Sequence, residues 1–379
     1  MNILGYVKSN QLSFKELSFS SVDALTLSWF SYFDFDIIKE RLPIEIKSLG
    51  GIPYFHKLDP YKGSFLAKTS RKIMNAMVNS NRFQKARILE FSQVLDKKLD
   101  IQFGAIAIAL DNKIVIAFRG TDPSYTGWKE DFTLSYREGI RSYELAKEFV
   151  NMVLEKYDEK IILCGHSKGG NIVTYLLSEL EDDSRILFTY SFDGPGFRSL
   201  DRFKGKEDRL DRFVKIVPQS SFVGVLFMNE TDMEIIKSRN VMMLQHNPME
   251  WIIKDNDFIY VKKRTFTSKY LDRAVNSWID SLDEQTRERF TQIVFGELDK
   301  LEAQDFTTFF FKIHKQVGPI SKAYLHLNKE DKKLFNHVIR KLIRNLIKPE
   351  KKKPHLRFSF GISPALLRAN LATIGPINS

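Results

Sequence analysis

Residues 161–171 read IILCGHSKGGN, and this stretch decides the fold. Four apolar residues run into Gly165. Ser167 follows between His166 and Lys168, then come Gly169, Gly170 and a helical run to about residue 181. A buried strand that turns sharply into a helix, with serine at the turn, has the form of a nucleophile elbow. The serine must take a strained backbone conformation there. Side chains two positions to either side would collide with the neighbouring strand and helix, and glycine at 165 and 169 relieves that. The helix start also brings the positive end of its dipole toward a developing oxyanion. The plain alternative is a tight strand–helix turn with a capping serine. Cys164, the one cysteine, excludes an intramolecular disulfide framework and reads as a small buried residue beside the turn.

The flanks repeat the same alternation. Residues 103–110 (FGAIAIAL) and 113–118 (KIVIAF) are short apolar runs separated by Asp111-Asn112, which predicts an antiparallel hairpin. Residues 141–157 have helical spacing, and 186–192 (ILFTYSF) and 212–217 (RFVKIV) read as further strands. Strands alternating with helices of this length imply crossovers and a mostly parallel sheet. The class is therefore α/β, in the form of an α/β-hydrolase. Upstream, residues 20–40 and 66–81 have helical spacing, with Ser20, Ser21 or Asp23 as cap candidates, and 87–94 suggests a strand; this first part reads as an approach segment. From about Thr267 the texture changes to charged stretches with apolar positions at helical spacing, such as Trp278, Ile279 and Leu282, then Phe290, Ile293 and Val294. Residues 331–348 place Phe335, Ile339, Leu342 and Leu346 on one face. The expected organisation is a hydrolase domain over 1–266, a C-terminal helical extension over 267–348 and a basic, loose tail over 349–379.

An oxyanion hole needs a donor besides the backbone N–H of Lys168. The turn Gly120-Thr121 ends an earlier strand, inside FRGTDPSYTGWKEDF (residues 118–132). FRGT, then Trp128 and Asp131, then GHSKGG, resembles the class 3 lipases over roughly residues 90–250. In that family an FRG-S/T turn supplies the second donor and a W-x-x-D element follows. The resemblance implies that the backbone N–H groups of Thr121 and Lys168 form the hole. Over most of the chain, SVDALTLSWFSYFDFD (21–36), IVPQSSFVGVLF (216–227) and LQHNPMEW (244–251) look like the marks of a bacterial, Mbeg-like family of lipase-like hydrolases. That likeness implies fold and site rather than substrate.

The chain order of these hydrolases demands a histidine downstream of Ser167. His246, His314, His326, His337 and His355 are available. His246 closes the apolar run 241–245 ahead of Asn247-Pro248, where a strand is expected to give way to a loop; the other four fall in helical or tail segments. His166 is too close to Ser167 along the chain to act as its base. The acid must bind the far ring nitrogen of His246. In class 3 lipases it usually precedes a Val-Pro step, and here Lys215 stands at the matching place before Ile216-Val217-Pro218. Asp193, at the end of the next strand and followed by Gly194-Pro195-Gly196, is the acid we expect, with Asp232 as the alternative.

The chain has 379 residues, 43% hydrophobic and 28% charged, with 31 phenylalanines and a net charge of +11, an ordinary globular composition with a large apolar core or pocket. Residues 331–357 hold ten Lys or Arg against Asp331 and Glu350. Such a cluster suits an anionic membrane surface. Without zinc-ligand spacing or an RNA-binding motif, specific nucleic-acid recognition is not expected. No signal-peptide pattern and no apolar run of spanning length are visible, so a cytoplasmic location is expected. The expected chemistry is acyl transfer without cofactor or metal on a small-molecule or lipid ester. A thioesterase or peptidase would share the triad, and a non-catalytic scaffold of the same fold is the alternative from another class.

Overall fold

The computed structural model describes residues 1–52, 65–300 and 317–348. His314, His355 and the expected tail over 349–379 lie outside the described residues.

Eight strands form one sheet in simple chain order: β1 (Ile44–Glu45), β2 (Arg87–Asp96), β3 (Ile101–Leu110), β4 (Lys113–Phe118), β5 (Lys160–His166), β6 (Ile186–Phe192), β7 (Phe213–Pro218) and β8 (Glu234–Ile236). The first four pair antiparallel, and β4 to β8 pair parallel. The Asp111-Asn112 hairpin closes with Leu110 opposite Lys113, Asp111 taking a positive φ. A short ribbon, β9 (Ile253–Lys254) and β10 (Asp257–Phe258), follows.

Helices are α1 (Ile3–Ser9), α2 (Ser21–Phe30), α3 (Phe65–Val78), α4 (Tyr125–Thr133), α5 (Arg141–Lys156), α6 (Lys168–Glu179), α7 (Phe266–Asp280), α8 (Glu284–Lys300), α9 (Val317–His326) and α10 (Lys329–Ile347). Right-handed crossovers that step the same way across a sheet put their helices on the same face. So α5 and α6 share one core layer, where Val150, Val153, Ile172 and Leu176 meet Ile114, Ile116, Ile161 and Leu163. The opposite face, with Ile106, Ile108, Val115 and Ile162, is covered by residues from α1, α2 and α3.

The N-terminal segment is therefore core and not an approach to it. From Val22 to Phe30 every residue of α2 is buried, which is the pattern of a helix enclosed on all sides. Ser20 is the cap, in a reciprocal capping box with Asp23. Thr26 and Ser28 satisfy their hydroxyls on the carbonyls of Val22 and Ala24. Asp23 and Arg82 form an ion pair at 2.6 Å, both side chains fully buried. Arg82 also donates to the carbonyls of Leu12, Leu17 and Ser18, and Tyr6 donates to Asp23. Arg82→Met strands a buried carboxylate and is expected to cost about 3–5 kcal/mol, read as a fall in the thermal midpoint.

At the other end, α7 and α10 run antiparallel: Tyr270 donates to the Leu346 carbonyl and Trp278 to that of Val338. Phe290 of α8 stacks on Phe335 of α10 at 5.7 Å. The group meets the hydrolase core through α4, where Phe132 meets Phe295 edge-on at 5.2 Å, and through α7, where Asn276 bonds to the backbone of Val225 and Phe227. Among the described residues no helix is long and apolar enough to cross a membrane.

Candidate active site

Ser167 stands between β5 and α6 with φ 59° and ψ −124°, a strained region for any residue with a side chain. Close packing holds it there. A Cβ on Gly169 would lie 2.1 Å from the Phe118 carbonyl oxygen, and one on Gly165 would lie 2.2 Å from that of Gly169. The two glycines are therefore fixed by the approach of β4, β5 and α6. Ser167 itself is half-buried, so its hydroxyl can be reached.

His246 Nε2 lies 2.9 Å from Ser167 Oγ, and His246 Nδ1 lies 2.7 Å from Asp193 Oδ2. The Asp193 side chain is fully buried. Its other oxygen accepts from the Ser221 hydroxyl at 2.5 Å and from the Gly224 N–H at 3.1 Å. Asp232 is not the carboxylate on His246. His326 and His337 sit exposed on α9 and α10 and do not join this group.

The local structure at His246 differs from the expected strand end. Residues 242–246 form a short 3₁₀ turn, because the outermost strand β8 ends earlier, at Ile236. Gln245, buried in that turn, takes the Ser220 N–H on its side chain and the Trp251 indole N–H on its carbonyl. These bonds hold the turn over the sheet edge.

Lys215, at the place where class 3 lipases usually carry the acid, is buried 3.6 Å from the equally buried Glu230. Burial lowers the lysine pKa and raises that of the glutamic acid, with mutual attraction opposing both shifts. Asp193 reaches the same edge from the adjacent strand, its N–H bonded to the Ile216 carbonyl of β7.

The Gly120-Thr121 turn lies against the elbow: a Cβ on Gly120 would be 2.8 Å from Ser167 Cβ and 2.6 Å from the His166 carbonyl oxygen. Thr121 donates its hydroxyl to Asp131 at 2.5 Å. Burial pushes the Asp131 carboxyl up to about 6 against the pull of nearby Lys168 and the Thr121 bond. Lys168 is the first residue of α6, so its N–H has no partner within the helix. Its ammonium, also buried, pairs with Glu130 at 2.8 Å and donates to both oxygens of Gln102. Glu130 further accepts from Ser142 and from the Gln102 N–H. Thus adjacent acids of α4 anchor the two residues expected to line an oxyanion hole, Asp131 holding Thr121 and Glu130 holding Lys168. Glu130→Ala leaves a buried ammonium unpaired; a loss of about 3–5 kcal/mol is expected in chemical denaturation.

His166 has a different task from a base. Burial, and then the nearby His246, lower its pKa well below the usual histidine value, so the ring is neutral. Its Nε2 faces the His246 carbonyl at 2.9 Å and must donate, which leaves Nδ1 to accept from the Tyr32 hydroxyl at 2.9 Å. Tyr32 in turn accepts from the Gly120 N–H. One hydrogen-bond chain therefore joins the Gly120 turn, the segment after α2, the elbow and the backbone of His246. Tyr32→Phe strips His166 of its donor and is expected to cost about 1–3 kcal/mol of stability, measured by thermal unfolding. Cys164 is buried under α2 beside Ser28, and burial raises its thiol to about 12, so it is inert.

Glu130 and Tyr32 escape sequence reading as site residues. Glu130 stands beside Asp131 within the W-x-x-D element, and Tyr32 lies inside the SVDALTLSWFSYFDFD mark. Both stretches were visible, but neither shows which of its polar residues turns inward.

A family model described as Mbeg1-like matches residues 77–296. Comparison with curated proteins finds no significant match. Among solved structures the chain is similar to the M37 lipase, at 18% identity over 55% of this chain and 70% of that one, with a TM-score of 0.36. It is similar to the Lip2 lipase from Yarrowia lipolytica at 11% identity over 48% and 76%, with a TM-score of 0.33. A fungal lipase matches at 11% identity over 64% and 84%, with a TM-score of 0.39.

Proposed function

The chain belongs to the Mbeg1-like family, a lipase-like family of α/β-hydrolases, and from that premise we propose that it is a serine hydrolase that cleaves carboxylic esters through Ser167, His246 and Asp193. The observation that carries the reading is the continuous hydrogen-bond chain from Ser167 Oγ through both ring nitrogens of His246 to Asp193. Ser167 attacks the ester carbonyl as His246 Nε2 takes its proton. The tetrahedral oxyanion forms beside the first turn of α6 and the Gly120-Thr121 turn, where the Lys168 and Thr121 N–H groups receive it. Asp193 fixes the tautomer of His246 and stabilises the imidazolium. His246 then protonates the leaving alkoxide, and water repeats the sequence on the acyl-enzyme.

Apolar acyl groups suit the surroundings. Val241 and Leu244, on the segment that carries His246, are 59% and 53% exposed and offer apolar surface on that segment. Lysine at the usual acid position would favour a non-catalytic scaffold, but Asp193 lies 2.7 Å from His246 Nδ1 and supports the hydrolase reading. The test is turnover of p-nitrophenyl acyl esters of increasing chain length. A rapid burst of one p-nitrophenol per chain, followed by slower turnover, is expected from an acyl-enzyme. No release from any ester, thioester or activated amide counts against the proposal.

A further inference from the structure

The end of the molecule where α7 begins and α10 ends is both apolar and cationic. Phe266, Ile343 and Ile347 are 76%, 51% and 69% exposed, and it is their grouping that carries meaning. They form one patch. Phe266 stacks on Tyr270 at 6.2 Å, Tyr270 bonds to the Leu346 carbonyl, and Ile343 stands one turn from Ile347. Around them Lys262, Lys263, Lys269, Arg340, Arg344 and Lys348 are exposed. No acidic residue occurs in 258–271 or in 332–348.

This end is tied to the candidate active site. Thr265, just before Phe266, bonds through its N–H to the Gln219 carbonyl, and Ser268 donates to the Ser221 carbonyl. Ser221 is the residue whose hydroxyl binds Asp193. The patch and Ser167 therefore belong to the same edge of the sheet, the edge on which Val241 and Leu244 are also exposed.

We propose that this face docks the protein on an anionic lipid bilayer. Separate apolar side chains set among long cationic ones match the headgroup boundary, where stems bury and charged heads stay with phosphates. A second copy of this chain fits poorly, because a self-complementary contact would bring six cations against six. That docking serves ester hydrolysis of lipids rests on the function proposed above; the docking itself does not.

Sedimentation of the full chain with vesicles tests it. Binding is expected to phosphatidylcholine mixed with phosphatidylglycerol, at least about tenfold tighter than to phosphatidylcholine alone, and to weaken with salt. Arg344→Gln and Lys348→Gln should each weaken it by about fivefold, and Phe266→Ser and Ile347→Ser should weaken it as well. Ser167→Ala should bind like the unaltered chain, so a failure of the esterase reading leaves this result readable. Equal binding to both vesicle types, or none, overturns the proposal without any variant. So does binding that survives the patch substitutions but is lost when Lys351, Lys352 and Lys353 are changed to serine. A concentration-dependent dimer that Phe266→Ser dissolves would assign the face to self-association instead.

Discussion

Ser167→Ala is expected to lower ester turnover by about 10⁵–10⁶-fold while leaving the protein folded. In the proposed mechanism the serine, histidine and aspartate act as a unit, and without the nucleophile the other two have no proton to move, so the loss is large. The proposed oxyanion donors, the Lys168 and Thr121 N–H groups, would remain, so a small residual rate over water is expected. The fold should survive because the strain at φ 59° is imposed by backbone packing around Gly165 and Gly169 and not by the hydroxyl. The measurement is kcat with a p-nitrophenyl ester, alongside the thermal midpoint. A variant that keeps more than about one hundredth of the rate would exclude Ser167 as nucleophile.

Asp193→Asn is expected to cost about 10⁴ in kcat with little change in KM. The environment of Asp193 determines how an asparagine would sit. One oxygen of the carboxylate takes donors from Ser221 and Gly224, so only the amide oxygen can occupy that place. The amide nitrogen must then face His246 Nδ1, which becomes an acceptor. The ring proton moves to Nε2 and points at Ser167, where a lone pair is needed. Asp232→Asn should leave the rate unchanged within about twofold, since that residue is not on His246. Equal losses in the two variants would contradict the assignment of the acid.

Much of the fold was legible because strand and helix periods differ so plainly around residues 161–171. The hairpin at Asp111-Asn112, the strand over 186–192 and the helix that leaves the elbow each follow from patterning and turn chemistry within a few residues. Long-range packing was not legible. Residues 20–40 read as part of an approach segment because nothing local says that a face of the sheet is otherwise bare. The right-handed crossovers that put α5 and α6 together on one face leave the other to α2.

Around the candidate site, Ser167 follows from its flanking glycines and His246 from chain order. The 3₁₀ turn that presents His246 was not foreseen, since five apolar or amide residues in a row fit a strand equally well. Nor does the sequence show how Lys215 is accommodated. Its buried partner Glu230 lies on a distant loop, and only the fold brings the two to 3.6 Å. The pairing of Lys168 with Glu130 is hidden for the same reason: a lysine inside the elbow reads as exposed until the helix that covers it is known.

The proposed function makes Ser167 an activated nucleophile. The most direct measurement is labelling of the intact chain with a fluorophosphonate, followed by mass spectrometry of its peptides. One phosphonyl group per chain on Ser167, formed rapidly in the unaltered protein and slowly in His246→Ala, is the predicted result. An unlabelled chain, or a label on another residue that persists in Ser167→Ala, would contradict it.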